Sequence, residues 1–131
     1  MVALDTNIVV DYLRNKEDIV HRVEQIERIY LPVVVCGELI FGASISGNPT
    51  KHIEKVEAFI RRCTVLNQNM AVAEVYAQIR KQLKEKGAPI PENDLWIAAT
   101  ALSHGLKLVT QDLHFRNVDL IDLEIWAHLK Y

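Results

Sequence analysis

The sequence predicts a three-layer α/β domain with a mainly parallel central sheet of about five strands. Two observations predict it. Short runs rich in Val, Ile and Leu recur along the chain at strand length, with few polar positions inside them. Segments with helical spacing of apolar residues lie between those runs. Strands that are apolar on both faces and alternate with helices are what a parallel sheet covered by helices on both sides requires.

In chain order, the first strand is Val2–Leu4, and a helix through Ile8 to Leu13 follows it, with Asp5-Thr6-Asn7 at its start. Ile19, Val20, Val23 and Ile26 form one apolar stripe, ahead of a second strand at Ile29–Leu31. The helix after that strand carries Glu38, between Gly37 and Gly42, two glycines expected to let neighbouring backbone approach closely. Ile53, Val56, Phe59 and Ile60 form the next stripe, opened by Asn48 as N-cap and Pro49 in the first turn. A third strand is expected at Thr64–Leu66. Val72, Val75, Ile79 and Leu83 mark a helix ended by Gly87, and Leu95, Ala98, Ala99 and Leu102 one ended by Gly105. The last strands are expected at Leu106–Val109 and Leu120–Leu123. The stretches Gly42–Pro49 and Gly87–Pro91 read as loops, and residues 1–131 as a single domain.

Composition narrows the class. Half the residues are hydrophobic and 24% are charged, ordinary for a globular protein. No apolar run approaches the roughly 20 residues that span a bilayer. Met1 runs straight into VALD without a basic leader, so no secretory signal is expected. The two cysteines, Cys36 and Cys63, sit far apart in apolar segments and are expected to be reduced core thiols, which fits a cytoplasmic protein. Net charge is −2. Committing four of the 17 acids to one site leaves 13 against 15 Lys and Arg, a mildly basic remainder that permits contact with a phosphate backbone.

Those four acids are Asp5, Glu38, Asp94 and Asp112, each in an apolar setting expected to turn it inward. Asp5 and Asp112 follow strands, at the carboxyl edge where open parallel sheets bind ligands. Asp94 lies in the first turn of a helix, and Glu38 lies within one. Two carboxylates about 4 Å apart repel by roughly 4 kcal/mol even at an effective dielectric of 20. Bringing four together therefore asks for a cation, and an oxygen-loving divalent ion is the economical one. Each acid also has an ordinary reading. Asp5 fits a helix cap, Asp94 a helix start after Pro91, and Asp112 a turn residue. Glu38, flanked by Cys36 and Leu39-Ile40-Phe41, is the hardest to place in solvent.

Other chemistries lack their residues. His21, His52, His104, His114 and His128 have no zinc-like spacing and are read as surface or core side chains. No serine sits in a nucleophile elbow, and there is no Gly-rich phosphate loop. Lys81, Lys84 and Lys86 read as a solvated helix end. Arg14 and Lys16, just past the helix that begins at Asp5, are the better candidates for contact with a nucleic-acid backbone. Trp96 and Trp126 are read as core or interface anchors.

At these residues the chain resembles a known family. LDTNIVVDYL, GELIFGA, NDLWIAATAL and LVTQDLHF, in that order and spacing, resemble the PIN domain, most closely the VapC-type toxin ribonucleases of toxin–antitoxin pairs. The resemblance runs from Val2 to Trp126 and implies a three-layer α/β/α PIN-like domain. It implies that Asp5, Glu38, Asp94 and Asp112 hold one or two Mg2+ or Mn2+ ions, directly or through water. It also implies a supporting hydroxyl at Thr110, with Thr6 or Asn7 orienting Asp5 or a bound water. Val33-Val34-Val35-Cys36 lacks the Ser or Thr that some relatives carry before the glutamate. The expected activity is metal-dependent hydrolysis of RNA to 5′-phosphate and 3′-hydroxyl products. The expected partners are an RNA substrate, a cognate antitoxin that blocks the site, and a second copy of the chain in a homodimer. Two other functions remain open at this point: a non-catalytic PIN-like module that holds RNA or a partner, and a receiver-like phosphotransfer domain. The latter wants an adjacent acid pair, which Asp5-Thr6-Asn7 does not offer. Exposed apolar surface for a partner is expected on the helices at Ile19–Ile26 and Ile53–Ile60.

Overall fold

A computed structural model describes residues 1–127; His128 lies outside the described residues. The elements run β1 (Val2–Leu4), α1 (Thr6–Leu13), α2 (Glu17–Glu24), β2 (Ile29–Pro32), α3 (Val33–Ser44), α4 (Pro49–Arg61), β3 (Thr64–Leu66), α5 (Met70–Lys86), α6 (Glu92–Ser103), β4 (Lys107–Thr110), a 3-10 turn (Leu113–Asn117) and β5 (Leu123–Ile125). The strands form one sheet in the order β3-β2-β1-β4-β5, with every pairing parallel. Helices cover it in the three-layer α/β/α arrangement.

The central strands are apolar because they are buried on both faces: Ala3, Leu4, Leu31 and Leu108 are fully buried and Val109 nearly so. The strand order sets the position of the site. From β1 the chain steps outward through β2 to β3, then returns to place β4 on the opposite side of β1. The connections out of β1 and β4 therefore diverge, which opens a crevice at their carboxyl ends.

Helix boundaries follow their caps. Asn48 and Asn69 each accept a backbone N–H through the side chain, starting α4 and α5. Gly87 ends α5 at φ 69°, a left-handed geometry that a side chain would strain. Gly105 follows α6 at φ 64°.

The structure corrects several expectations. The last strand is Leu123–Ile125 rather than Leu120–Leu123, and Leu120 is 71% exposed. An edge strand is half-buried and alternates, as Leu123-Glu124-Ile125 does, whereas the Leu120-Ile121 pair precedes the strand. Helix α3 runs to Ser44, so Gly42 lies in it and the connection to α4 is shorter than the expected loop. A Cβ on Gly37 or Gly42 would meet no atom within 4 Å, so neither glycine serves a close backbone approach. Both lie away from the face that α3 buries through Val35, Cys36, Leu39 and Ala43. The exposed apolar surface is not on α2 or α4, whose Ile19, Val23, Val56 and Phe59 are buried. It is on α3, where Phe41 is 64% exposed, with Ile45 beside its C-terminus at 69%. A stripe at helical spacing is more often the core-facing side, and that is the case for α2 and α4.

Candidate active site at the carboxyl edge of the sheet

The crevice between β1 and β4 widens into a cleft of about 810 Å³ lined by Asp5, Glu38, Asp94 and Asp112. Four separate elements deliver them: the N-cap of α1, the middle of α3, the first turn of α6, and the start of the 3-10 turn after β4.

Asp5 is the most buried of the four, 3% exposed. Strand register explains its partner. Leu4 lies opposite Val109, so Asp5 falls beside Thr110, and Asp5 N donates to Val109 O at 2.9 Å. The Thr110 hydroxyl donates to Asp5 Oδ2 at 2.7 Å, and Thr6 N donates to Asp5 Oδ1 at 2.8 Å. Asp5 is thus both the helix cap and a member of the acidic group. Burial raises its carboxyl from the ordinary 3.8 to about 6; the Thr110 and Thr6 hydrogen bonds oppose that rise, and the charges of Asp94 and Asp112 add to it.

Glu38 is oriented by Thr6, whose hydroxyl donates to Glu38 Oε1 at 2.6 Å. Asp94 is pushed above its usual range by burial and by the nearby Asp112 and Glu38 charges, while His114 pulls it down. Asp94 does stand in the first turn of α6 after Pro91, and Asp112 precedes the 3-10 turn without a side-chain cap bond to it, so each holds its ordinary place in the chain while its side chain lines the cleft. Asp112 departs from expectation in its exposure. Its side chain is 49% exposed, because it sits on the loop beyond β4 rather than inside the sheet edge. Its backbone N–H donates to Thr110 Oγ1 at 3.0 Å, so one threonine ties Asp5 and the Asp112 loop together. Asn7 adds a second tie by accepting from Gln111 N at 3.3 Å.

From its spacing His114 is expected to be an ordinary surface or core histidine, but the structure places it in the site. Its Nε2 lies 2.7 Å from Asp94 Oδ2 and its Nδ1 lies 3.7 Å from Asp112 Oδ1. The Asp94 contact is short but off the N–H direction, so buried Nε2 has no directional hydrogen bond. Donor atoms of Asp94, Asp112 and His114 lie within 4.8 Å of one another. The Asp112-Leu113-His114 spacing was the available signal: one turn brings both side chains to the same loop. Asp11, which no motif in the sequence marks, belongs to the site as well. It is 7% exposed, lines the same cleft, and accepts from Gln111 Nε2 at 2.8 Å. Arg14 and Lys16 line the cleft as well.

Among the described residues, no lysine or arginine forms an ion pair with Asp5, Glu38, Asp94 or Asp112. A group of carboxylates in one cleft, offering mainly hard oxygen donors, suits a divalent, oxygen-loving cation.

Known proteins share this fold and much of this sequence. The PIN domain profile matches residues 2–121. Ribonuclease VapC1 of Haemophilus influenzae (strain R2866) is 34% identical over 129 residues, covering 95% of this chain and 96% of its own length. The tRNA(fMet)-specific endonuclease VapC of Salmonella typhimurium is 34% identical over 127 residues, with the same coverage. A solved DNA-bound VapBC structure from Salmonella typhimurium contains a chain that superposes with a TM-score of 0.89 at 36% identity, covering 97% of this chain and all of that one. VapBC-1 of nontypeable Haemophilus influenzae gives 0.86 at 33% identity, covering 96% of this chain and 98% of that one. On sequence and fold, the chain belongs to the PIN domain family and, within it, to the VapC-type ribonucleases.

Proposed function

We propose that this protein is a Mg2+- or Mn2+-dependent endoribonuclease toxin, acting in the cytoplasm on RNA phosphodiester bonds and neutralised by a cognate antitoxin. One observation carries the reading: four acids from four separate elements line a single cleft at the switch point of a parallel sheet.

In this reading Asp5, Glu38, Asp94 and Asp112 hold the cation. A bound divalent ion lowers the pKa of water and neutralises charge on the phosphoryl oxygens. The chain's own groups supply position. Thr110 and Thr6 fix the two oxygens of Asp5, and Thr6 also fixes Glu38, so one residue orients two carboxylates from different elements. Asn7 and Thr110 hold the loop that carries Asp112. Arg14 and Lys16 line the same cleft and offer cationic contact to the RNA backbone.

The antitoxin reading draws support from a second groove of about 470 Å³ that shares Val10, Arg14 and Glu38 with the cleft. Its other walls include Leu13, Leu39 and Val56, so an inserted segment has apolar footing next to the acids. The apolar side chains exposed on α3 suit protein contact, including a homodimer.

The test is cleavage of a mixed set of structured RNAs by antitoxin-free protein in Mg2+, Mn2+ or EDTA, beside Asp94→Asn. We expect cutting that requires metal and falls at least ~100-fold in the variant, beyond the ~10–100-fold typical when only the outer partners of metal ligands are lost. Equal activity in both proteins, or activity that survives EDTA, defeats the reading.

A further inference from the structure

We propose that Asp11 is a positioning residue that holds Lys16 over the acidic cleft as a contact for the RNA phosphate backbone. The proposal rests on the endoribonuclease reading and goes beyond it by assigning a buried acid outside the metal-binding set.

The backbone provides the first argument. Helix α1 ends at Leu13 with Arg14 as its C-cap, and Asn15 then adopts φ 60°. Asn15 N donates to Tyr12 O and Lys16 N donates to Asp11 O, both at 3.1 Å. These are the paired bonds of a Schellman ending, in which the left-handed residue folds the next one back over the last helical turn. That motif ordinarily brings two apolar side chains together across the turn. Here the same two positions carry opposite charges, and Lys16 Nζ lies 3.4 Å from Asp11 Oδ2.

The surroundings provide the second. The Asp11 side chain is 9% exposed and that of Lys16 is 46% exposed, so the acid is anchored while the cation faces the opening. Both line the cleft that holds Asp5 and Asp94. Asp11 Oδ2 also accepts from Gln111 Nε2 at 2.8 Å, so the acid is locked from the β4 side as well. An ammonium has three donors, and one ion pair leaves two of them for phosphate oxygens. A free lysine would lose side-chain entropy on binding RNA, whereas one already held loses less.

The experiment is a double-mutant cycle on RNA affinity, read by fluorescence anisotropy of a labelled single-stranded RNA in Ca2+ over a range of KCl. Asp11→Asn is chosen because its amide oxygen still accepts from Gln111. It also makes the cleft more positive and raises affinity by itself, so the reading is the effect of Lys16→Ala in each background. We expect Lys16→Ala to weaken binding about fivefold in the wild type, the range of one exposed charge contact, and to lower the salt slope by about 0.7. In the Asp11→Asn background both effects should nearly vanish. Asp11→Glu should restore them in part, and Gln111→Ala, which removes one of the two holds on the acid, should weaken them less than Asp11→Asn does. A Lys16→Ala effect that persists or grows in Asp11→Asn overturns the proposal, as does its absence in the wild type. Wild-type protein that binds no RNA at all would instead overturn the endoribonuclease reading on which the proposal stands.

Discussion

Asp5 carries a conflict that a single residue makes measurable. It is 3% exposed, and burial raises its carboxyl to about 6 from 3.8. Between those values the folded protein binds a proton that the unfolded chain has released. Stability of the metal-free protein from this group is therefore greatest below pH 4, and falls as pH rises through 6. The full swing is about 3 kcal/mol, from the 1.36 kcal/mol that each pKa unit represents. Asp5→Asn imitates the neutral carboxyl: its one oxygen still accepts from Thr6 N, and its NH2, in the place of Oδ2, donates to Thr110 Oγ1 in reversal of the present bond. We expect the variant to raise the Tm in EDTA at pH 7.5, by roughly 1–3 kcal/mol of stability, and to match wild type near pH 4. Thermal melts across that range check it, and a lower Tm for the variant at pH 7.5 would show that the ionised carboxylate is not a burden. All four acids were visible in the sequence because each breaks an apolar context. His114 and Asp11 were not, since a histidine in a polar loop and an acid on a short helix look ordinary until strand register and chain reversal place them.

At the level of elements, period was readable and ends were less so. Helices α2, α4, α5 and α6 follow from their apolar stripes and, for the last three, from Asn48, Gly87 and Gly105 at their ends. Helix α3 was harder because it is apolar on nearly all sides, with Phe41 exposed and Leu39 buried, so period could not say which face turns inward. Its glycines misled for the same reason, since an apolar helix with two glycines suggests close packing that solvent exposure refutes. Strand β5 was misplaced because an edge strand with Glu124 in the middle has too little apolar content to stand out. That glutamate is used: it pairs with Arg22 at 3.9 Å and Lys107 at 3.6 Å and accepts from Trp126 Nε1 at 2.5 Å. Arg22 also lies over the Trp126 ring at 4.1 Å, closing the sheet edge against α2. The open surroundings of Gly42 make a sharp prediction. Gly42→Ala adds a methyl that meets nothing within 4 Å and removes helix-interior glycine, so it should stabilise by about 0.5–1 kcal/mol. Chemical denaturation checks it, and a loss of stability would mean that the α3 backbone is held closer than the structure shows.

For the whole molecule, the sheet order turns four scattered acids into one site. Positions 5, 38, 94 and 112 span most of the chain, and only the reversal between β1 and β4 brings their elements to one crevice. The fold thus concentrates like charge at its own carboxyl edge, and a cation that binds there should bind the folded state far better than the unfolded one. Ligand present at 100 times its dissociation constant stabilises by about 2.7 kcal/mol, which for a domain of this size is a rise in Tm on the order of 10 °C. Because Asp5 must lose its proton to serve as a ligand, the rise should be large at pH 7.5 and shrink as pH falls through 6. Melting curves with Mn2+ or EDTA at pH 5 and 7.5 measure both parts at once. A rise at pH 7.5 that disappears in Asp5→Asn and fades at pH 5 ties the cation to the buried carboxylate. A rise equal at both pH values, or kept by the variant, would put the cation with the exposed Asp112 loop instead, and would make Asp5 a cap whose burial serves the fold alone.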